Sequence, residues 1–165
     1  MSIPDKSDIV IKLWTLKDDP ELFENLRKKG YEIKRAMSPN ISYIMDFIKK
    51  NFPPETVHSS WADEALPALL GQHCFICTKG EEIVGFMCCE ATTKDFVGPL
   101  GVSPEHRGNN IAGALYISIC KHMMELGYKY AIGGWMHEGG IKVFEKYTEF
   151  VVIPGASEGS YKDMI

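Results

Sequence analysis

Arg107, Gly108, Asn109 and Asn110 stand directly before a helix-periodic run that begins at Ile111, and just after an apolar segment, residues 96–102, closed by Ser103 and Pro104. A strand, a basic Gly/Asn turn and a helix N-terminus in that order make an anion site. The first backbone N–H groups of a helix have no partner inside it and carry the positive end of its dipole, so they can hold a pyrophosphate. Arg107 adds a fixed positive charge. Neither G-x-G-x-x-G nor G-x-x-x-x-G-K-S/T is present. If position 110 requires positive φ, asparagine is the least costly residue after glycine.

The elements that present this junction follow from periodicity and punctuation. Residues 9–16 alternate, Ile9, Ile11 and Leu13 against Lys12, as a short strand does. Asp19 and Pro20 read as the N-cap and first residue of a helix that stops at Gly30. Residues 1–29 are therefore expected to form a strand-helix extension packed on a main domain, residues 30–165. Residues 31–37 read as a strand, and Ile41, Ile44, Met45 and Ile48 as the stripe of a helix. A second helical segment after Pro53 and Pro54 carries Trp61, Leu66 and Leu69, with Pro67 expected to bend or divide it. A hairpin of residues 74–78 and 83–89 leads by a further turn into the strand 96–102. Beyond the helix of residues 111–126, stopped by Gly127, come a strand over 130–135, a short helix over 140–147, and strands over 149–154 and 160–165.

At 165 residues, 45% hydrophobic and 24% charged, the chain fits one soluble domain with a real core. A net charge of −4 without a cluster of Lys or Arg argues against a nucleic-acid surface. No apolar run reaches the length of a membrane span, and the opening MSIPDKSDIV lacks a signal-peptide pattern, so a cytoplasmic protein is expected. The five cysteines lie in or beside apolar runs and read as reduced, buried thiols. Cys74 and Cys77 have redox-motif spacing, but three positions apart on a strand face opposite sides.

Residues 107–112, following Val102-Ser103-Pro104, resemble the coenzyme A signature Q/R-x-x-G-x-G/A of the GNAT superfamily of N-acetyltransferases, with Asn110 where that family usually has glycine. The order of elements over residues 31–165 matches the family's plan as well. The resemblance implies an α/β (α+β) fold with a mixed, mostly antiparallel sheet, splayed at the cofactor site and flanked by helices. It implies acetyl-CoA as co-substrate, without a metal. The pantetheine arm would lie along Leu100, Gly101 and Val102 like an added strand, with Arg107, Gly108, Asn109, Asn110, Ile111 and Ala112 on the pyrophosphate.

The reaction so implied is direct attack of a primary amine of a small molecule or peptide on the acetyl thioester, in a ternary complex. The enzyme aligns the partners, removes the ammonium proton and stabilises the oxyanion, with a backbone N–H near Val102 as the expected donor. The family's helix pattern N-x-x-A-x-x-L-Y aligns His137, Gly140, Val143 and Phe144, so Phe144 stands in the cofactor-contacting place of the usual thiolate-protonating tyrosine. Tyr147, one helical turn further, is the candidate general acid, with a core or surface aromatic as its other reading. Glu90 and His137, near strand ends bordering the cleft, are candidate bases, and each also reads as a solvated surface residue. His58, Trp61 and Trp135 are candidate substrate-pocket residues. His73 and His122 read as surface or edge positions, and no spacing suggests a metal site.

Asn110, Phe144 and the lack of an acid in residues 96–102 keep a non-catalytic acyl-CoA-binding or sensor module as the alternative reading. A phosphate site for another nucleotide is a third. The expected partners are an amine substrate and a second copy of the chain, as in the family's frequent dimers, with neither nucleic acid nor membrane.

Overall fold

The computed structural model describes residues 3, 6–155 and 161. In chain order it has β1 (Ser7–Lys12), α1 (Pro20–Lys28), β2 (Tyr31–Arg35), α2 (Ile41–Asn51), α3 (Pro54–Val57), α4 (Trp61–Leu70) and β3 (Cys74–Lys79). There follow β4 (Glu82–Cys89), β5 (Phe96–Val102), α5 (Ile111–Glu125), β6 (Tyr130–Met136), α6 (Glu138–Tyr147) and β7 (Glu149–Val152). The strands form one seven-stranded sheet in the order β2-β3-β4-β5-β6-β1-β7. Neighbours are antiparallel except β5 and β6. A parallel pair needs a long crossover, and α5 supplies it.

The sheet corrects the division expected after residue 29. β1 is an interior strand, antiparallel to both β6 and β7, and its Ile9 and Ile11 are fully buried together with Leu13. The alternation of that segment is plain in the sequence. What it leaves open is the partner, because β6 and β7 are joined through α6 and lie one strand apart, a slot that β1 fills. Pro67 does not divide α4, which runs through it to Leu70 behind a Ser60 N-cap whose hydroxyl accepts the Asp63 N–H at 3.2 Å. The strand expected over residues 160–165 lies outside the described residues, apart from Tyr161, which sits in a turn.

Helices cover both faces of the sheet. Leu26, Leu115, Ile119, Met123 and Phe144 pack with Cys77, Val84 and Met87 on one side. Ile44, Ile48, Ala65 and Leu69 pack with Ile76, Phe86 and Cys88 on the other. Cys74 and Cys77 accordingly fall in opposite cores, and the five cysteines are free and buried. α5 lies close on β4 because Gly85 has no side chain: a Cβ there would come within 3.3 Å of Ile111 and Leu115. The helix ends where Gly127 takes φ +99° and Tyr128 N–H reaches back to the Met123 carbonyl at 3.0 Å. Among the described residues no helix is long and apolar enough to cross a membrane.

Candidate active site

β5 and β6 pair only through Phe96 with Ile132 and Val97 with Gly133. From there they part. The register of β4 against β5 shifts between Met87 and Cys89, opposite Gly98, whose φ of +105° is one that side chains rarely adopt. Beyond this irregularity Ser103 N–H donates to the Val84 carbonyl at 2.9 Å, on the β4 side. Strand alternation therefore turns the Val102 N–H the other way, into the fork. The fork opens into a cleft of about 710 Å³ walled by Leu100, Gly101 and Val102 of β5, by Trp135 and Met136 of β6, and by His137, Val143 and Phe144 from the start and inner face of α6.

Arg107, Gly108, Asn110, Ile111 and Ala112 close one end of the cleft. Asn110 adopts φ 59°, ψ 30°, the left-handed conformation that asparagine tolerates. It precedes the first turn of α5 yet makes no side-chain cap there. Its amide nitrogen instead donates to the Tyr147 hydroxyl at 2.7 Å. The first-turn N–H groups are thus left without a competing side-chain acceptor, which suits an external anion. Arg107 Nε donates to the Val102 carbonyl at 3.1 Å, fixing the arm, and no bond among the described residues engages its two terminal nitrogens.

The sequence-predicted residues separate into two groups. Leu100 to Val102, Arg107, Gly108, Asn110 to Ala112, Trp61, Trp135, His137 and Phe144 all line the cleft. Phe144 is held there by stacking on buried Tyr116, with ring centroids 4.0 Å apart and an interplanar angle of 7°. Asn109 is not on the wall: its side chain donates to the His106 carbonyl and accepts from Lys29 Nζ, which ties down the outside of the loop.

Tyr147, Glu90 and His58 are corrected by their positions. Tyr147 is 3% exposed and packs in the core with its hydroxyl on Asn110, so it faces the loop from behind rather than the cleft. Glu90 sits in the turn between β4 and β5, where its carboxylate accepts the Asp95 N–H at 3.0 Å. His58 is the left-handed residue that ends α3, and it points no atom into the cleft wall.

Among the wall residues that the sequence reading missed are Phe52, Glu64 and Tyr161. The Phe52 ring stands 5.3 Å from Trp61 and 5.8 Å from Phe86, filling the space that Gly101 leaves open. A Cβ at Gly101 would come within 2.5 Å of that ring. Glu64 follows Trp61 by three residues on α4, the spacing of a shared helix face, and that was a readable signal. Its Oε1 accepts from the Thr92 hydroxyl and from the Tyr161 hydroxyl. Tyr161 carries no local signal at all, since it reaches the cleft from the far end of the chain. Its phenol is pushed above the ordinary value by burial and by the nearby Glu64 carboxylate.

His122, read as a surface or edge position along with His73, is buried instead, while His73 is half-buried. His122 is 8% exposed; its Nε2 lies 2.9 Å from His73 Nδ1, and Cys89 joins them in a cluster whose ligand atoms are within 4.8 Å of one another. That donor set suits zinc. A metal-bound imidazole, however, presents its second N–H to an acceptor, whereas His122 Nδ1 faces the Arg35 guanidinium at 3.3 Å. The arrangement reads instead as a chain of hydrogen bonds, Arg35 to His122 to His73. Burial and the Arg35 charge hold His122 below the ordinary imidazole value, and burial pushes the Cys89 thiol up to about 12.

Residues 41–150 match the model of the acetyltransferase (GNAT) family. No protein of curated function matches the chain. Among solved structures, the glucosamine N-acetyltransferase region of a fungal multi-domain GH3 β-N-acetylglucosaminidase superposes with a TM-score of 0.69 at 13% identity, over 89% of this chain and 19% of the fungal one. The chain therefore spans about a fifth of that protein. A mosquito arylalkylamine N-acetyltransferase-like protein gives 0.59 at 14% identity, over 70% of this chain and 81% of its own. A GNAT family acetyltransferase from Brucella melitensis, solved with acetyl-CoA, gives 0.57 at 13%, over 74% and 88%.

Proposed function

Because the chain belongs to the acetyltransferase (GNAT) family, we propose that it transfers an acetyl group from acetyl-CoA to a primary amine of a small molecule or peptide. The observation that carries this reading is the fork between β5 and β6, which ends at a loop whose helix N–H groups are free of side-chain caps. The pyrophosphate takes those N–H groups and Arg107. The pantetheine amides pair along the open edge of β5, as an added strand would.

Leu100 and Val102, two residues apart on β5, both turn their N–H groups toward the fork, and the one beside the thioester can receive the negative charge that develops on its oxygen. Direct attack needs no covalent acyl-enzyme. This agrees with thiols that are buried and, for Cys77, Cys89 and Cys120, held protonated with values pushed up to about 12. Of the acid–base residues expected from the sequence, His137 alone lines the cleft. Tyr147 acts on the loop through Asn110, and protonation of the leaving thiolate falls to solvent or to the amine nitrogen.

Asn110 was one ground for the alternative of a non-catalytic acyl-CoA-binding module. Its left-handed conformation favours a working loop instead. Amine-dependent release of free thiol from acetyl-CoA tests the proposal; acetyl-CoA binding with no turnover across a broad amine panel would leave the binding module in its place.

A further inference from the structure

Glu64 is the one carboxylate on the wall of the cleft among the described residues. It has no cationic partner there. Its Oε1 is held by two neutral hydroxyls, those of Thr92 and Tyr161, and these lie 2.8 Å from each other. Three oxygens thus share two hydroxyl protons, while no bond among the described residues engages Oε2. The other titratable group close to it is the Cys88 thiol, buried and raised well above its ordinary value by that burial. A carboxylate in an aromatic cleft, steered by neutral donors and lacking a counter-ion, is built to receive a cation from outside.

The two charges of the cleft sit at opposite ends of β5. Arg107 is tied to Val102, the last residue of the strand. Tyr161, which holds Glu64, packs its ring 6.5 Å from Phe96, the first residue. Roughly 20 Å of strand separates the ends. The cation thus marks the end for the anionic pyrophosphate and Glu64 marks the end for an ammonium. Gly134 leaves room for Tyr161, since a Cβ there would come within 2.6 Å of the tyrosine ring.

We infer that Glu64, held by Thr92 and Tyr161, binds the ammonium group of the acceptor and takes its proton, and that the acceptor is a small monoamine with an apolar or aromatic body. The class follows from the walls. Phe52, Val57, Trp61, Val97 and Trp135 surround the site, and among the described residues no second carboxylate lines the cleft for a second ammonium. The inference rests on the acetyl-transfer reading for its chemical step. There the ammonium gives one proton to Glu64 and the neutral nitrogen attacks the thioester carbon. The C–N bond forms and the C–S bond breaks. The nitrogen's second proton ends on the CoA thiol, and Glu64 releases its own to solvent.

The test uses 2-phenylethylamine and its uncharged isostere 2-phenylethanol, titrated into the native protein, Glu64→Gln and Tyr161→Phe, alone and with CoA present. The native protein is expected to prefer the amine; Glu64→Gln should lose about 10-fold or more of amine affinity while binding the alcohol and acetyl-CoA as before, with Tyr161→Phe in between. Turnover should fall about 100-fold or more in Glu64→Gln. Equal amine affinity and turnover in the native protein and Glu64→Gln would overturn the assignment, as would a native protein that does not distinguish amine from alcohol. Loss of acetyl-CoA binding by the native protein would instead strike the acetyl-transfer reading, and the amine titration without CoA would still decide the role of Glu64.

Discussion

The Asn110 amide donates to the Tyr147 hydroxyl at 2.7 Å, and this bond joins the last turn of α6 to the residue that starts α5. It lets one asparagine do two things: accept a backbone conformation that most residues resist, and leave the helix N–H groups that an anion needs without a side-chain cap. Tyr147→Phe should therefore lower acetyl-CoA affinity and cost about 1–3 kcal/mol of stability by orphaning the amide donor, with turnover at saturating acetyl-CoA nearly unchanged. Urea unfolding and steady-state kinetics check this. A lower kcat with unchanged affinity would restore Tyr147 as the general acid.

The same pair explains Gly113. A Cβ there would come within 2.4 Å of Asn110 Oδ1 and 2.8 Å of the Tyr147 ring. Gly113→Ala should push the two apart, lowering stability by about 1–3 kcal/mol despite alanine's better helix propensity. Thermal unfolding decides it: a higher Tm would show that the pair yields without loss.

Arg107 is anchored by Nε and presents its terminal nitrogens at the end of the cleft. Arg107→Ala should weaken acetyl-CoA binding by about 10- to 100-fold, the size of one or two charge-assisted hydrogen bonds, and leave the fold intact. The loss should shrink as salt is raised. Calorimetry at two ionic strengths reads both effects, and unchanged affinity at low salt would remove Arg107 from the site.

Gly101 faces Phe52 at a separation that admits no side chain. Gly101→Ala should displace the Phe52 ring from its cluster with Trp61 and Phe86, at about 1–3 kcal/mol, and narrow the acceptor end of the cleft. Amine KM should rise more than acetyl-CoA KM. An equal rise in both would place Phe52 outside the acceptor subsite.

His122 gives the fold a pH dependence. Burial, the Arg35 guanidinium and His73 lower its proton affinity, with Glu125 and Glu90 opposing them. The unfolded chain then binds the proton more readily than the folded one. Stability is complete above the ordinary value of 6.5 and declines as pH falls through the lower folded value. Urea midpoints at about pH 7 and about pH 5 should differ more for the native protein than for His122→Gln. Equal differences would show that His122 is not the group responsible.

Much of the site was legible because its signals are local. Residues 96–112 encode a strand, a turn and a helix start in consecutive positions, and the structure builds them where periodicity puts them. The misplaced residues depend on distant partners. Tyr147 has the helical spacing of a catalytic residue, but Phe144, stacked on Tyr116, takes the cleft wall, and Tyr147 packs behind the loop with its hydroxyl on Asn110. β1 reads as a strand, yet its slot between β6 and β7 is set by pairings about 120 and 140 residues away along the chain. His73, Cys89 and His122 meet from a loop, a strand end and a helix. Glu64 looks like an ordinary acid in the first turn of a helix until Thr92 and Tyr161 are seen on it.

A calorimetric titration of the purified protein with acetyl-CoA, with ATP as the control, reads whether the fork and its loop bind the cofactor. Saturable one-to-one binding of acetyl-CoA is expected, much tighter than ATP and weakened by Arg107→Ala. Absence of binding by the folded protein, or equal affinity for ATP, would contradict the cofactor reading.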